Sequence, residues 1–296
     1  MTQVPRWVSI ALLLVIAVTF SLNHVFARIA FDHGVSVATA VALRSGGTAL
    51  AVLSLLLALR APLALPALTL ARALAIGVVV ALQSYCIYSA VSRIPVALAL
   101  LTFNTYPVVF ALTSWAAGMG RPSVRTLASM LVALCGLALA LDITGTGEGL
   151  AAHWSEIGPG VGFALGASLS FALVLFLNVR WLHGVDGRMR SLLTMLACGA
   201  VVLVAAGATG SLTLPHDRMG WLGLVLLTLF YGSAITALFV VQPHMRSAGD
   251  IAVLNFEPVA LMFLGWVILG QSLSPMQIAG AIIVVGAIAA LGTAKR

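Results

Sequence analysis

Two four-residue stretches decide the fold of this chain: Asn104-Thr105-Tyr106-Pro107 and Asn255-Phe256-Glu257-Pro258. They lie 151 residues apart, and the same shift brings Trp115 onto Trp266. A shift of 150 residues aligns Phe31-Asp32-His33-Gly34-Val35 with Trp181-Leu182-His183-Gly184-Val185. Because these matches extend from the first part of each half toward its end, the sequence predicts a tandem duplication.

The composition places the duplicated chain in a lipid bilayer. Of its 296 residues, 61% are hydrophobic and 8% are charged, whereas about a quarter of an ordinary soluble domain is charged. A water-soluble globular protein is therefore excluded. The formal net charge is +7, but the basic residues are scattered singly, unlike a nucleic-acid-binding stripe. The three cysteines lie in apolar stretches without paired spacing, so we predict neither a disulfide framework nor a metal site.

Ten apolar segments are long enough to cross a membrane as helices, since a hydrocarbon core of about 30 Å needs about 20 residues. They are separated by charges, prolines and glycines, and they cover residues 7–31, 35–59, 70–92, 95–118, 122–142, 157–181, 187–209, 219–243, 248–270 and 274–293. Strands are disfavoured because several segments are apolar on every face. The first segment is longer than the apolar part of a secretory signal, so we predict a retained helix.

The basic residues between the segments predict the orientation. With the N-terminus in the cytoplasm, eleven of them face the cytoplasm, and three, Arg28, Arg93 and Arg218, face the other side. Both termini are then cytoplasmic. Five crossings per half make the second copy enter from the opposite side, so we predict an all-α membrane protein of two inverted five-helix repeats around a central cavity. The repeats are 1–142 and 157–296, joined by an external linker, 143–156.

Several stretches also resemble a known family. They are Ser21-Leu22-Asn23-His24-Val25-Phe26-Ala27-Arg28, Leu43-Arg44, Leu254-Asn255-Phe256-Glu257-Pro258-Val259, Gly265-Trp266 and Leu269-Gly270. Together they resemble the drug/metabolite transporter superfamily of the EamA type, over nearly the whole chain. The first repeat departs from the family, because Tyr106 replaces the acid before Pro107 and Gly120-Arg121-Pro122 replaces the usual acidic end. The resemblance implies a ten-helix bacterial inner-membrane carrier that exports small metabolites, similar to exporters of aromatic and neutral amino acids.

Two ionisable residues lie deep within predicted spans, where each costs about 3 kcal/mol or more on insertion scales. Arg44 is nine residues into the second segment, and Glu257 is about nine residues into the ninth. The two therefore approach the midplane from opposite sides. Arg44 is a candidate for binding a substrate carboxylate, and Glu257 for binding a substrate ammonium or a coupling proton. The alternative is that they pair with each other or with free carbonyls and serve assembly.

The repeated Asn-x-x-Pro pattern supplies further candidates, Asn104 with Pro107 and Asn255 with Pro258. Proline within a helix removes one amide donor and kinks the helix. We predict that both prolines mark places where half-helices bend during gating. The asparagines either bind substrate or repair the opened backbone.

Polar aromatic residues form two candidate walls of the cavity. Gln83, Tyr85 and Tyr88 lie within two turns of the third segment, and Tyr231 lies in the eighth, its counterpart in the second repeat. Tyrosines at such positions can stack on an amino acid and hydrogen-bond it. Packing of the helices is the alternative role.

These features favour a secondary transporter with alternating access. The only lysine is the terminal Lys295, which excludes a Walker lysine and a membrane-embedded Ser/Lys dyad, and no zinc-protease or hydrolase motif is present. An enzyme and a cofactor are not expected. We expect a monomer that contacts lipid and a small-molecule substrate, an amino acid or a related metabolite. Export of drugs or other metabolites is the first alternative, an intramembrane enzyme the second and a channel the third.

Overall fold

The computed structural model describes residues 6–118, 150–182, 184–241, 256–270 and 274–292, together with positions 128, 131, 132, 135, 136 and 139. Within these residues the chain forms helices joined by short turns. We number the helices in chain order: α1 (Arg6–Asp32), α2 (Val37–Ala58), α3 (Ala67–Val91), α4 (Val96–Phe103), α5 (Tyr106–Ala116), α6 (Leu150–Trp181), α7 (Gly187–Thr209), α8 (Arg218–Val241), α9 (Glu257–Leu269) and α10 (Pro275–Gly292).

The helices confirm that this is an all-α membrane protein. Six of them are long and apolar enough to cross a bilayer: Ala11–Asp32, Val37–Ala58, Ala67–Val91, Trp154–Asn178, Gly187–Thr209 and Arg218–Leu238. Shorter apolar helices cover Val96–Phe110, Ala260–Leu269 and Ile278–Ala287. The predicted segment 122–142 lies almost entirely outside the described residues, as does the start of the segment 248–270.

Two boundaries differ from those predicted from the sequence. The predicted segment 95–118 is divided, since α4 ends at Phe103 and α5 begins at Tyr106. Helix α6 begins at Leu150, so the second half of the predicted linker 143–156 is helical. Several residues from 150 to 156 are apolar, which allows the helix to begin before the predicted membrane-spanning segment. The glycines and acidic residues that suggested a flexible linker do not prevent this helix from forming.

The two prolines of the repeated pattern stand at corresponding helix starts. Pro107 is the second residue of α5 and Pro258 is the second residue of α9. The preceding residues, Thr105 and Phe256, have nearly the same backbone angles, φ −73 and −70° with ψ −10 and −18°. A proline in the first turn removes no intrahelical bond, because amides there have no helical acceptor. For Pro107 the prediction of a kink in a continuous helix is therefore wrong: it begins a new one after the break at 104–105.

The most extensive helix contacts join the two halves of the chain. Helix α1 packs along α8, α3 along α6, and α2 along α7. The next most extensive contact joins α3 with α7, and it is followed by those of α1 with α9 and of α2 with α8. The short helices complete the bundle, since α4 and α5 contact α6 and α4 also contacts α9.

Small residues make these close approaches possible. Gly223 of α8 lies against the backbone of α1, where an added Cβ would be 2.9 Å from Ala30 N and 3.0 Å from Phe26 O. Gly77 of α3 lies against α7, and a Cβ there would overlap the side chain of Ala197 and lie 2.9 Å from Thr194 O. Lipid supplies no hydrophobic drive for helix association, so such backbone contacts hold the bundle together.

Loops from the two halves bind each other at one end of the bundle. This end, which we call the His33 end, holds the ends of α1 and α7 and the starts of α2 and α8. Ser36 N donates to Thr213 O at 3.3 Å, and His216 N donates to His33 O at 3.2 Å. The Thr213 hydroxyl donates to Gly34 O at 2.9 Å, and His33 Nδ1 lies 2.7 Å from Asp217 Oδ2. Gly34 has φ +89° and its Cα faces the His216 ring, so only glycine fits there.

Candidate functional site

The deepest charged residue of the described chain is Arg44 of α2. Its side chain is 2% exposed. Nη2 donates to the Ser84 hydroxyl at 2.7 Å and Nη1 donates to the Tyr88 hydroxyl at 3.3 Å. Ser84 and Tyr88 are one turn apart on α3, and this spacing presents both hydroxyls to the same guanidinium.

Two tyrosine rings enclose this guanidinium. Its central carbon lies 3.6 Å from the centroid of Tyr231 on α8 and 4.9 Å from that of Tyr88. Both distances are within the range of cation–π attraction, which strengthens when the cation is removed from water. The rings thus hold a positive charge that no carboxylate of the described residues pairs with, and Arg44 Nε has no hydrogen-bond partner.

Tyr88 connects Arg44 to α1. Its hydroxyl donates to Asn23 Oδ1 at 2.7 Å, and its ring lies edge-on to His24, with centroids 5.9 Å apart. Tyr88 and Asn23 are fully buried. Asn23 Nδ2 and His24 Nδ1 have no hydrogen-bond partner, so two buried polar atoms beside Arg44 are left for a ligand or for water.

Glu257 lies on the other side of His24. Its Oε1 is 3.6 Å from His24 Nε2, too far for a hydrogen bond. Its carboxylate is in the first turn of α9, where the helix dipole favours a negative charge. The Ser21 hydroxyl donates to Glu257 O at 3.0 Å and fixes this helix start against α1. Arg44 and Glu257 therefore do not pair directly here; Tyr88 and His24 lie between them.

The structure separates the predicted polar wall of α3. Tyr88 is fully buried beside Arg44, whereas Tyr85 is 43% exposed and packs edge-on against Phe163 of α6. Gln83 is half-buried and accepts a long hydrogen bond, 3.4 Å, from Ser84. Of the three predicted residues on α3, only Tyr88 touches Arg44, because the 100° step of a helix carries Tyr85 to a different neighbour.

The first Asn-x-x-Pro stretch makes contacts with α4 and α6. Asn104 Nδ2 donates to Leu100 O at 2.7 Å, so this amide satisfies the last turn of α4. Tyr106 packs against Phe103 and Phe171, with centroids 5.4 and 4.8 Å apart. Asn255 lies outside the described residues. The matching tryptophans, Trp115 and Trp266, are exposed on the surface of the bundle, as lipid-facing side chains are.

Sequence reasoning missed three polar partners of the cluster: Asn23, His24 and Ser84. His24 is buried and contacts Tyr88 and Glu257. The signal that was available is the adjacent Asn23-His24 pair inside an otherwise apolar run, where each polar residue needs a partner. In the described part of the chain no three His, Cys, Asp or Glu side chains converge as metal ligands.

Comparison with known proteins agrees with this architecture. Residues 158–293 match the model of the EamA-like transporter family. A solved structure described only as "Crystal structure of protein" has a TM-score of 0.68 and 19% identity, and the match covers 96% of each chain. At this identity the likeness establishes the fold alone. No curated protein matches the chain. Residues 158–293 are therefore similar to the EamA-like transporter family, and the helices of the described residues are those of a multi-pass membrane protein.

Proposed function

We propose that this protein exports zwitterionic amino acids with aromatic or neutral side chains across the bacterial inner membrane by alternating access. One observation carries the proposal: Arg44 is a buried cation held by Ser84, Tyr88 and Tyr231 with no carboxylate partner in the described chain. A buried charge is costly unless it is paired. A substrate carboxylate is the anion that completes this site.

Glu257 supplies the opposite charge for the same substrate. It lies beyond Tyr88 and His24 as seen from Arg44, and its only ion-pair contact in the described chain is the long one to His24. A carboxylate can accept several hydrogen bonds, so Glu257 has capacity for a substrate ammonium. The ammonium and carboxylate of an α-amino acid are attached to the same carbon, so one substrate engages both side chains only if Arg44 and Glu257 approach each other during the transport cycle.

The rings between and around these charges favour an apolar side chain on the substrate. Tyr231 packs edge-on against Phe20 and Tyr88 packs edge-on against Phe31, with centroids 6.2 and 5.7 Å apart. Aromatic surfaces of this kind gain most from aromatic or large aliphatic groups. This supports aromatic and neutral amino acids over charged ones.

Correspondences between the two halves support the inverted-repeat mechanism. Helices α5 and α9 begin at residues that match at a shift of 151, and Gly34 and Gly184, which match at a shift of 150, have φ +89 and +83°. Helices α1, α2 and α3 correspond to α6, α7 and α8. If each helix is replaced by its counterpart, the α1–α8 contact becomes the α6–α3 contact and the α2–α7 contact stays the same. All three contacts are extensive. Such a relation supports two gates around one shared site.

The His33 end supports the closed half of an alternating-access cycle. Its loops are joined by backbone and side-chain hydrogen bonds between residues 33–36 and 213–217. With both termini in the cytoplasm, this is the outer end. When the His33 end is closed, substrate can enter only from the cytoplasmic end. An exporter must be in such a state when it binds its substrate.

The proposal is tested by counterflow in liposomes with labelled phenylalanine as the substrate. Phenethylamine, which lacks the carboxylate, and 3-phenylpropionate, which lacks the ammonium, are the competitors. We expect each to compete at least about tenfold worse than phenylalanine, since a charged hydrogen bond contributes about 1.5–3 kcal/mol. Equal competition by phenethylamine would instead favour an exporter of organic cations, and no counterflow of any labelled amino acid would refute the proposal.

Variants then assign the two charges. Arg44→Gln should abolish the preference for phenylalanine over phenethylamine, and Glu257→Gln should abolish the preference over 3-phenylpropionate. Arg180→Gln and Glu156→Gln are matched controls, because both side chains are exposed outside the cluster. If both cluster variants kept the wild-type preferences, Arg44 and Glu257 would not bind the substrate.

A further inference from the structure

A cavity lies at the His33 end, apart from the Arg44 cluster. It has a volume of about 450 Å³, within the range of small-molecule sites. We call it the Ser89 cavity. Its polar wall is formed by the end of α1, the start of α2, the end of α3 and the loop after α7: Asp32, Ser36, Tyr85, Ser89, Arg93 and Ser211.

An aromatic contact separates this cavity from Arg44. Phe31 lies on the cavity wall and packs edge-on against Tyr88, with ring centroids 5.7 Å apart. Tyr88 is fully buried and also contacts Arg44. A ligand in the Ser89 cavity therefore does not reach the guanidinium of Arg44 unless the Phe31–Tyr88 contact opens.

The cavity carries one acidic and one basic side chain, each held in position. Arg28 Nε lies 3.0 Å from the Asp32 carboxylate, which is half exposed and retains capacity to accept a further donor. Arg93 Nη1 donates to Ser89 O at 2.7 Å and to the Ser92 hydroxyl at 3.3 Å. The Arg93 guanidinium carbon also lies 4.7 Å from the Phe163 ring centroid. Held charges bind a ligand with less loss of side-chain freedom than mobile ones.

An unpartnered hydroxyl lies on the same wall. Ser89 is 1% exposed, and its Oγ has no hydrogen-bond partner. Such a group is costly to bury unless a ligand or water bonds it. The first turn of α2 adds the backbone amides of Val37 and Ala38, which have no acceptor within the helix, whereas Ser36 N donates to Thr213 O. Hydrogen-bonding groups and both charges thus surround one small space.

We propose that the Ser89 cavity is a second binding site for a zwitterionic amino acid, distinct from the Arg44 site. Asp32 binds the ammonium, while Arg93 and the first turn of α2 bind the carboxylate. The side chain of the ligand packs against Phe31, Val35 and Tyr85. The substrate class rests on the proposed function, but the site itself rests on the contacts of this cavity alone.

Protection of a cysteine on the cavity wall tests the site. Ser211→Cys is introduced with Cys135→Ser, which removes the exposed native thiol. The protein in lipid nanodiscs is modified with a small methanethiosulfonate reagent, and the Cys135→Ser protein is the background. We expect phenylalanine to slow modification, with phenethylamine and 3-phenylpropionate at least about tenfold less potent.

Four variants separate this site from the central one. Phenylalanine should still protect the introduced cysteine from modification in the Arg44→Gln variant. In the Asp32→Asn and Arg93→Gln variants, the same protection should require at least about tenfold more phenylalanine. Ser89→Ala should weaken protection severalfold while raising the thermal stability of the ligand-free protein, a combination that packing alone does not produce. Loss of protection in Arg44→Gln, or equal protection by all three compounds, overturns the proposal. Counterflow can fail while protection persists, so the two proposals fail independently.

Discussion

The central carbon of the Arg44 guanidinium lies 3.6 Å from the centroid of the Tyr231 ring. The two residues come from different halves of the chain, α2 and α8, so this contact forms only in the assembled bundle. Stacking places the charge against an aromatic face while Ser84 and Tyr88 bond two of its nitrogens. The remaining donors of the guanidinium are left for an anion.

Tyr231→Leu and Tyr231→Phe test this stacking. A desolvated cation–π contact contributes about 2 kcal/mol, so the leucine variant should bind phenylalanine about tenfold or more weakly. The phenylalanine variant keeps the ring and should stay within about threefold of the wild type on the same scale. The measurement is the phenylalanine concentration that gives half-maximal counterflow. Equal effects of both substitutions would assign the role to the hydroxyl instead of the ring.

Tyr88→Phe tests the hydrogen bonds that connect α1, α2 and α3. Removing the hydroxyl leaves Asn23 Oδ1 without its 2.7 Å donor and Arg44 without one acceptor. Buried groups left unpaired cost about 1–3 kcal/mol each, so the free energy of unfolding should fall by at least that amount. Thermal unfolding in detergent gives the measurement. Tyr85→Phe is the matched control on the same helix, because its ring is 43% exposed and its hydroxyl bonds no described residue.

Gly77→Ala tests the contact between α3 and α7. The new Cβ would overlap Ala197 and lie 2.9 Å from Thr194 O, so the helices must separate. Overpacking of this kind costs about 1–3 kcal/mol, and the melting temperature should fall. Gly162→Ala in α6 is the control, since its Cβ meets no atom within 4 Å. A melting temperature that falls equally in the two variants would contradict this packing.

A Ser36→Cys/Thr213→Cys pair tests closure of the His33 end. The two residues are bonded directly, by Ser36 N to Thr213 O at 3.3 Å and by Thr213 N to the Ser36 hydroxyl at 3.2 Å. A disulfide there should reduce counterflow at least about tenfold, because alternating access requires the two ends to open in turn. Reductant should restore transport. Full activity of the oxidised protein would show that these loops do not separate during the cycle.

Asp217→Asn tests the electrostatic part of that closure. The backbone N–H of Gly220, followed by the His33 side chain, lowers the pKa of the Asp217 carboxyl below its usual value. Because the Asp217 pKa is lowered in the closed state, the ionised carboxylate stabilises that state above the usual aspartate pKa of about 3.9. This stabilisation is lost as the pH falls through the lowered pKa. At neutral pH the variant mimics the protonated state, so disulfide formation between the cysteines at 36 and 213 should slow severalfold. An unchanged rate would assign closure to the backbone bonds alone.

Much of the site could be anticipated from the sequence, but its pairings could not. Arg44 and Glu257 stand out because a charge inside an apolar run needs a partner, whichever helix supplies it. Tyr85 and Tyr88 look equivalent in the sequence, yet one faces Phe163 and the other Arg44. Nothing in the sequence indicates that His24 lies between Tyr88 and Glu257, because these three residues come from three different helices.

The sequence by itself determined that this chain is a helical membrane protein and that it contains a repeated pattern. These properties follow from segment length, charge cost and residue identity, which act locally along the chain. Only the tertiary structure decided which face of each helix turns inward. Helices α9 and α10 are apolar on nearly every side, so no hydrophobic face orients them. For α3 and α8, close contacts at Gly77 and Gly223 help to select which side faces the neighbouring helix.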